Sequence, residues 1–135
     1  MIYLHTAALV KLIRREPESD ALADWLDARS STMLVTSALA EVELARTLRR
    51  TEPSLVAAVP ALLDYVARYE IDELVRVTAA GYASSDLRSL EAIHLATAQA
   101  VFGAALTSFV TYDKRLRCAA EALRLPVVAP GVATA

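Results

Sequence analysis

A chain of 135 residues is long enough for one domain with a sizeable core and short for two. Its 56% hydrophobic content and 3 glycines exclude a disordered or low-complexity protein. The formal charge of −2 excludes a surface coated throughout in basic residues, although a local basic patch stays open.

The first element is Ile2–Leu4, a short buried strand, followed by a helix over Ala7–Ile13 with His5 and Thr6 at the junction. Ser19 can cap a helix running to about Ala28, with Leu22, Trp25 and Leu26 on one face. Met33–Thr36 reads as a second strand, and Ser37 can cap the helix Ala38–Arg50, with Glu41 near its first turn. Pro53 suits the first turn of a helix that continues through Tyr65 and kinks at Pro60. Val75–Val77, beginning near Ile71, reads as a third strand. Ser89 can cap a helix over Leu90–Phe102 that ends near Gly103. A strand at Ser108–Tyr112, a helix over Lys114–Leu123 and a strand at Pro126–Val128 complete the pattern, with Pro130–Ala135 as a frayed tail.

Short apolar strands alternating with helices predict an α/β fold with a mostly parallel central sheet covered on both faces. No repeat or linker divides the chain, so residues 1–135 read as a single domain. The lone Cys118 excludes an internal disulfide, reads as a small buried side chain, and fits a reducing compartment. No signal-peptide pattern opens the chain, and no run reaches the roughly 18 apolar residues of a membrane span. The expectation is a cytoplasmic protein without a membrane partner.

Ligands of such sheets bind at the carboxyl ends of the strands, which singles out His5, Ser37 and Asp113. Two further acids sit in apolar helical surroundings, Glu43 in "ALAEVELARTL" and Glu91 in "RSLEAIHLATA". Burying a carboxylate is costly unless a partner or a metal compensates it. An Arg partner would do so, Arg46 for Glu43 or Arg88 for Glu91. Alternatively Glu43, Glu91 and Asp113 gather with His5 into one oxygen-rich pocket of the kind that holds Mg²⁺ or Mn²⁺. Arg accounts for 12 of the 14 basic residues and favours bidentate phosphate or carboxylate contacts.

The segments "LRSLEAIHLATA" and "FVTYDKRL", with the helical "EVEL" and the opening strand, resemble the PIN-domain ribonucleases, specifically the VapC toxins of bacterial toxin–antitoxin pairs. The resemblance covers nearly the whole chain. It implies a three-layer α/β/α PIN-like fold and metal-dependent cleavage of RNA, usually tRNA or ribosomal RNA. It also implies a homodimer and a VapB-type antitoxin whose C-terminal segment inserts basic residues into the acidic pocket. The amphipathic stretches Ala21–Ala28 and Ser54–Tyr69 have apolar faces suited to such contacts.

Carried over position by position, the resemblance makes Glu43, Glu91, Asp113 and His5 the catalytic and metal-binding set. His5 stands where the family carries an acid, Glu91 is one methylene longer than the usual Asp, and Ala7 replaces a serine. Imidazole suits Mn²⁺ better than Mg²⁺, so His5 shifts the expected ion toward Mn²⁺. The alternative function is a catalytically impaired PIN domain that acts mainly as an antitoxin-binding and repressing partner. A phospho-receiver-like domain is disfavoured, because "LHTA" lacks its acidic pair. Thr6 and Thr111 could orient water or phosphate. His94 shares a helix face with Glu91 and reads as a supporting residue. Arg46, Arg49 and Arg50 read as a solvated charged face, and Arg115 as the better-placed phosphate contact.

Overall fold

The computed structural model describes residues 1–133. Five parallel strands form one sheet in the order β3-β2-β1-β4-β5, where β1 is Ile2–Leu4, β2 Leu34–Ser37, β3 Ala67–Tyr69, β4 Ser108–Val110 and β5 Val127–Val128. Register is set centrally, with Tyr3 opposite both Val35 and Phe109. Alternation along β1 then feeds two cores. Ile2 and Leu4 pack with Val110, Leu9, Leu22, Leu44 and Leu48 on one face. Tyr3 packs with Val35, Phe109, Leu95 and Leu116 on the other. The α1 (Thr6–Ile13), α2 (Ser19–Asp27) and α3 (Leu39–Thr51) helices cover the first face; α6 (Ser89–Ala96) and α7 (Lys114–Ala122) cover the second. The result is the expected three-layer α/β/α arrangement.

Two element assignments change. Residues 73–80 form a helix, α5 (Glu73–Ala80), and not a strand at Val75–Val77. The Asp72 carboxylate accepts the Val75 backbone N–H at 3.0 Å and caps that helix, which outweighs the β-branched content of "LVRV". The third strand is instead β3, three residues that take their place by pairing in parallel with β2. The Pro53–Tyr65 stretch breaks as Pro60 requires, into a 3₁₀ turn at Pro53–Ala58 and the short α4 (Val59–Leu63). The helix from Ser89 continues through Thr97–Phe102 as a π-helical segment and stops at Gly103, whose φ of 49° is one that glycine tolerates.

Three smaller expectations are also corrected. Cys118 is exposed. The apolar faces of Ala21–Ala28 and Ser54–Tyr69 are largely spent on the core, since Trp25, Leu26, Leu55, Val56 and Leu62 pack against it while Tyr65 stays exposed. Of the predicted frayed tail, Pro130 is tied down by the Tyr112 hydroxyl, which donates to its carbonyl at 2.8 Å, and Val132 by its N–H to Ala129. Thr134 and Ala135 lie outside the described residues. No helix among the described residues is long and apolar enough to cross a membrane.

Candidate active site

Strand order reverses at the β1–β4 junction, and the crevice beyond their carboxyl ends is the position where open parallel sheets bind ligands. A cavity of about 480 Å³ opens there, and His5, Glu43, Glu91 and Asp113 all line it, with Thr6, Arg88, His94 and Arg115. Four distant parts of the chain therefore meet at one cavity.

Each acid owes its place to local structure. Asp113 follows β4 and caps α7, its Oδ1 accepting the Leu116 N–H at 3.0 Å. Glu91 lies in the first turn of α6, where its Oε1 accepts the Arg88 N–H at 3.0 Å. Both carboxylates sit at helix N-termini, where the peptide dipoles favour negative charge. Arg115 reaches across with its guanidinium 3.5 Å from Glu91 and also donates to the Asp86 carbonyl.

Glu43 projects from α3 and is served differently. Neither Arg46 nor any other arginine is its partner among the described residues; His94 and Thr6 are. The Thr6 hydroxyl donates to Glu43 Oε1 at 2.8 Å, and His94 Nε2 donates to the same oxygen at 2.6 Å. His94, fully buried, has the Tyr3 hydroxyl 2.7 Å from its Nδ1. Burial works to raise Glu43, but the hydrogen bond and charge of His94 and the hydroxyl of Thr6 outweigh it, and its carboxyl is held below the ordinary value of 4.5. Burial pushes the Tyr3 phenol far above its usual range, so it remains a donor. Tyr3 is the one member of this array that the sequence analysis did not single out; its place on the first strand, one residue either side of core aliphatics, reads only as packing.

His5 caps α1, its Nδ1 accepting the Ala7 N–H at 3.3 Å. The same nitrogen lies 2.9 Å from the Thr111 hydroxyl, whose oxygen takes the Asp113 N–H at 3.2 Å. Its ring meets that of His94 edge to face, with centroids 4.6 Å apart. Burial, and secondarily the neighbouring His94, hold His5 well below the ordinary value of 6.5, so the ring is neutral at pH 7.

A cation would find oxygen donors here. Glu43, Glu91 and Asp113 each commit one carboxylate oxygen to these bonds, and the second makes no hydrogen bond among the described residues. Among those residues no three His, Cys, Asp or Glu side chains are drawn into a ready-made cage. Carboxylates at separate points of a cavity leave oxygens for a divalent cation that keeps several of its waters.

The PIN domain family model matches residues 2–122. The chain belongs to the PIN-domain family. Within it, the chain is 60% identical over 134 residues to Ribonuclease VapC35 of Mycobacterium tuberculosis, covering 98% of this chain and 99% of that protein. This is a VapC-type PIN domain. Its fold is similar to that of Mycobacterium tuberculosis VapC20, a sarcin-ricin-loop-cleaving toxin (TM-score 0.71, 14% identity, 88% of this chain and 95% of that one). It is also similar to a chain of Rickettsia felis VapBC2 bound to a promoter DNA fragment (TM-score 0.69, 14% identity, 96% and 99%).

Proposed function

We propose that this VapC-type PIN domain is a toxin that cleaves RNA phosphodiesters with a divalent metal and is neutralised by a VapB-type antitoxin. The observation that carries the reading is the meeting of Glu43, Glu91 and Asp113 in one cavity at the β1–β4 switch point, in a chain of VapC type. Glu43, Glu91 and Asp113 would hold Mg²⁺ or Mn²⁺ with His5 beside them. When bound, such an ion orients a water and stabilises the charge that builds on the attacking and leaving oxygens.

The chain's own contributions follow from its geometry. His94 and Thr6 fix Glu43 through one oxygen, so its second oxygen has a set direction. Backbone N–H groups at two helix N-termini fix one oxygen each of Glu91 and Asp113. Arg88 and Arg115 line the same cavity and offer cationic contacts for the RNA backbone. The carboxylates of the cavity are also complementary to basic residues of an antitoxin, and the likeness to a chain of Rickettsia felis VapBC2 supports a partner of that kind. Pairing of two copies is the expected assembly.

The test is RNA cleavage by purified, antitoxin-free protein with Mg²⁺ and Mn²⁺ titrated separately. The wild type is expected to cut and Asp113→Ala to be silent. Silence of both wild type and His5→Asp with either ion on tRNA and ribosomal RNA would overturn the reading; silence of the wild type alone, with cutting restored by His5→Asp, would identify a PIN domain impaired at His5.

A further inference from the structure

We propose that His5 serves the substrate and not the metal: held as the neutral Nε2–H tautomer by its capping bonds, it presents an N–H donor to a phosphate oxygen in the cavity. The inference rests on the nuclease reading for the identity of the phosphate, but the state of the ring stands on geometry alone.

A neutral imidazole has one accepting nitrogen and one donating nitrogen. The Ala7 backbone N–H can only donate, and it points at His5 Nδ1. Thr111 Oγ1 receives the Asp113 N–H, and its own proton is left for the same Nδ1. Two donors converge on Nδ1, so that nitrogen holds the lone pair and Nε2 holds the proton. Nε2 makes no hydrogen bond among the described residues, and it is absent from their buried atoms without a partner, so it is open to the cavity that His5 lines.

The contrast with a carboxylate decides the consequence. An acid at this position has two accepting oxygens, one to cap α1 and a second for a cation. Imidazole has a single lone pair, and the cap uses it. Ligation through Nε2 would require the proton to move to Nδ1, where it would face the Ala7 N–H head-on. The ring is therefore a donor in the cavity that three carboxylates share with Arg88, Arg115, Thr6 and His94. A phosphate diester entering beside a bound cation is the anion such a donor serves, next to Arg88 and Arg115 on the same cavity.

Long-range ¹H–¹⁵N correlation spectra of protein labelled in its histidine rings read the tautomer directly, with His5→Ser assigning the signal while keeping a cap on α1. The expected result is an Nε2–H ring in the metal-free protein that stays so when Mg²⁺ is added, and an Nε2–H signal that shifts when inorganic phosphate follows. By calorimetry His5→Ser should bind Mg²⁺ within about twofold of wild type, and bind inorganic phosphate in its presence roughly tenfold more weakly, the scale of one hydrogen bond to a charged group. Transfer of the proton to Nδ1 on adding Mg²⁺ or Mn²⁺, with a more than tenfold loss of ion affinity in His5→Ser, would make His5 a ligand and overturn the proposal. So would a His5 signal that phosphate leaves unmoved. If the wild type takes up neither ion, the nuclease reading fails instead, and the metal-free spectrum still decides the tautomer.

Discussion

The two walls of the cavity hold the same kind of group by different means. On the α3 side, the half-buried Glu43 is tied by His94 and Thr6 into an array that runs inward to the buried Tyr3 on the central strand. On the α6 and α7 side, Glu91 and Asp113 rest on backbone N–H groups at helix starts and on the exposed Arg115. A buried array cannot lose a member without stranding its neighbours, because a polar group without a partner in low dielectric is expensive. Water can replace an exposed arginine at little cost. One wall is thus coupled to the stability of the core, whereas the other can answer to substrate or antitoxin.

Substitutions on each wall break this comparison if it is wrong. The largest effect is expected from His94→Ala, which strands the Tyr3 hydroxyl and unfastens Glu43. Chemical denaturation should show a loss of about 2 kcal/mol, and cleavage should fall roughly 10- to 100-fold, as for removal of other groups that orient metal ligands. Tyr3→Phe should follow at about 1 kcal/mol, with His94 Nδ1 left unpaired and a smaller loss of activity. If His94→Ala proves as stable as wild type, the buried array does not carry the wall.

A pH series sharpens the same contrast. His5 is held below its ordinary 6.5, so below about pH 6.5 the unfolded chain takes up a proton there that the folded chain refuses. Stability should fall as pH is lowered from 7 toward 5, and His5→Ser should flatten that slope. Glu43 adds a second loss at lower pH. Its folded value lies below 4.5, so its contribution is complete above 4.5 and disappears as pH falls through the folded value. The smallest structural effect belongs to Arg115→Ala, with a stability change under about 1 kcal/mol. Its expected consequence is weaker RNA binding with a shallower salt dependence, measured by titration at several ionic strengths.

Much of the site was legible because its members lie at element boundaries or interrupt apolar helices. "VTYD" places Asp113 after a strand, and Glu91 and Glu43 stand out against apolar neighbours. Their partners were harder to read. Arg46 sits one turn from Glu43, the spacing at which helix pairs form, yet the carboxylate turns away to a histidine 51 residues along the chain. The α5 segment shows a different failure: alternating Val and Leu suit a strand, and only Asp72 beside Val75 marks the capped helix. β3 carried no such marker, since three half-exposed residues become a strand only by pairing with β2.

The sequence by itself determined the alternation of strands and helices, the two-faced sheet, and the place of His5 and Asp113 at one edge of it, while the family resemblance added Glu43 and Glu91 to them. The elements, the sheet and that edge follow from periodicity, capping and the direction of parallel strands, all properties of near neighbours in the chain. Only the tertiary structure decided which groups hold the acids and which nitrogen of His5 keeps its proton. Those depend on donors brought from other elements, Tyr3 and Thr6 to the His94–Glu43 pair and Thr111 to the capping ring. Hydrogen bonds have direction, and direction between residues far apart in sequence exists only after the layers have packed.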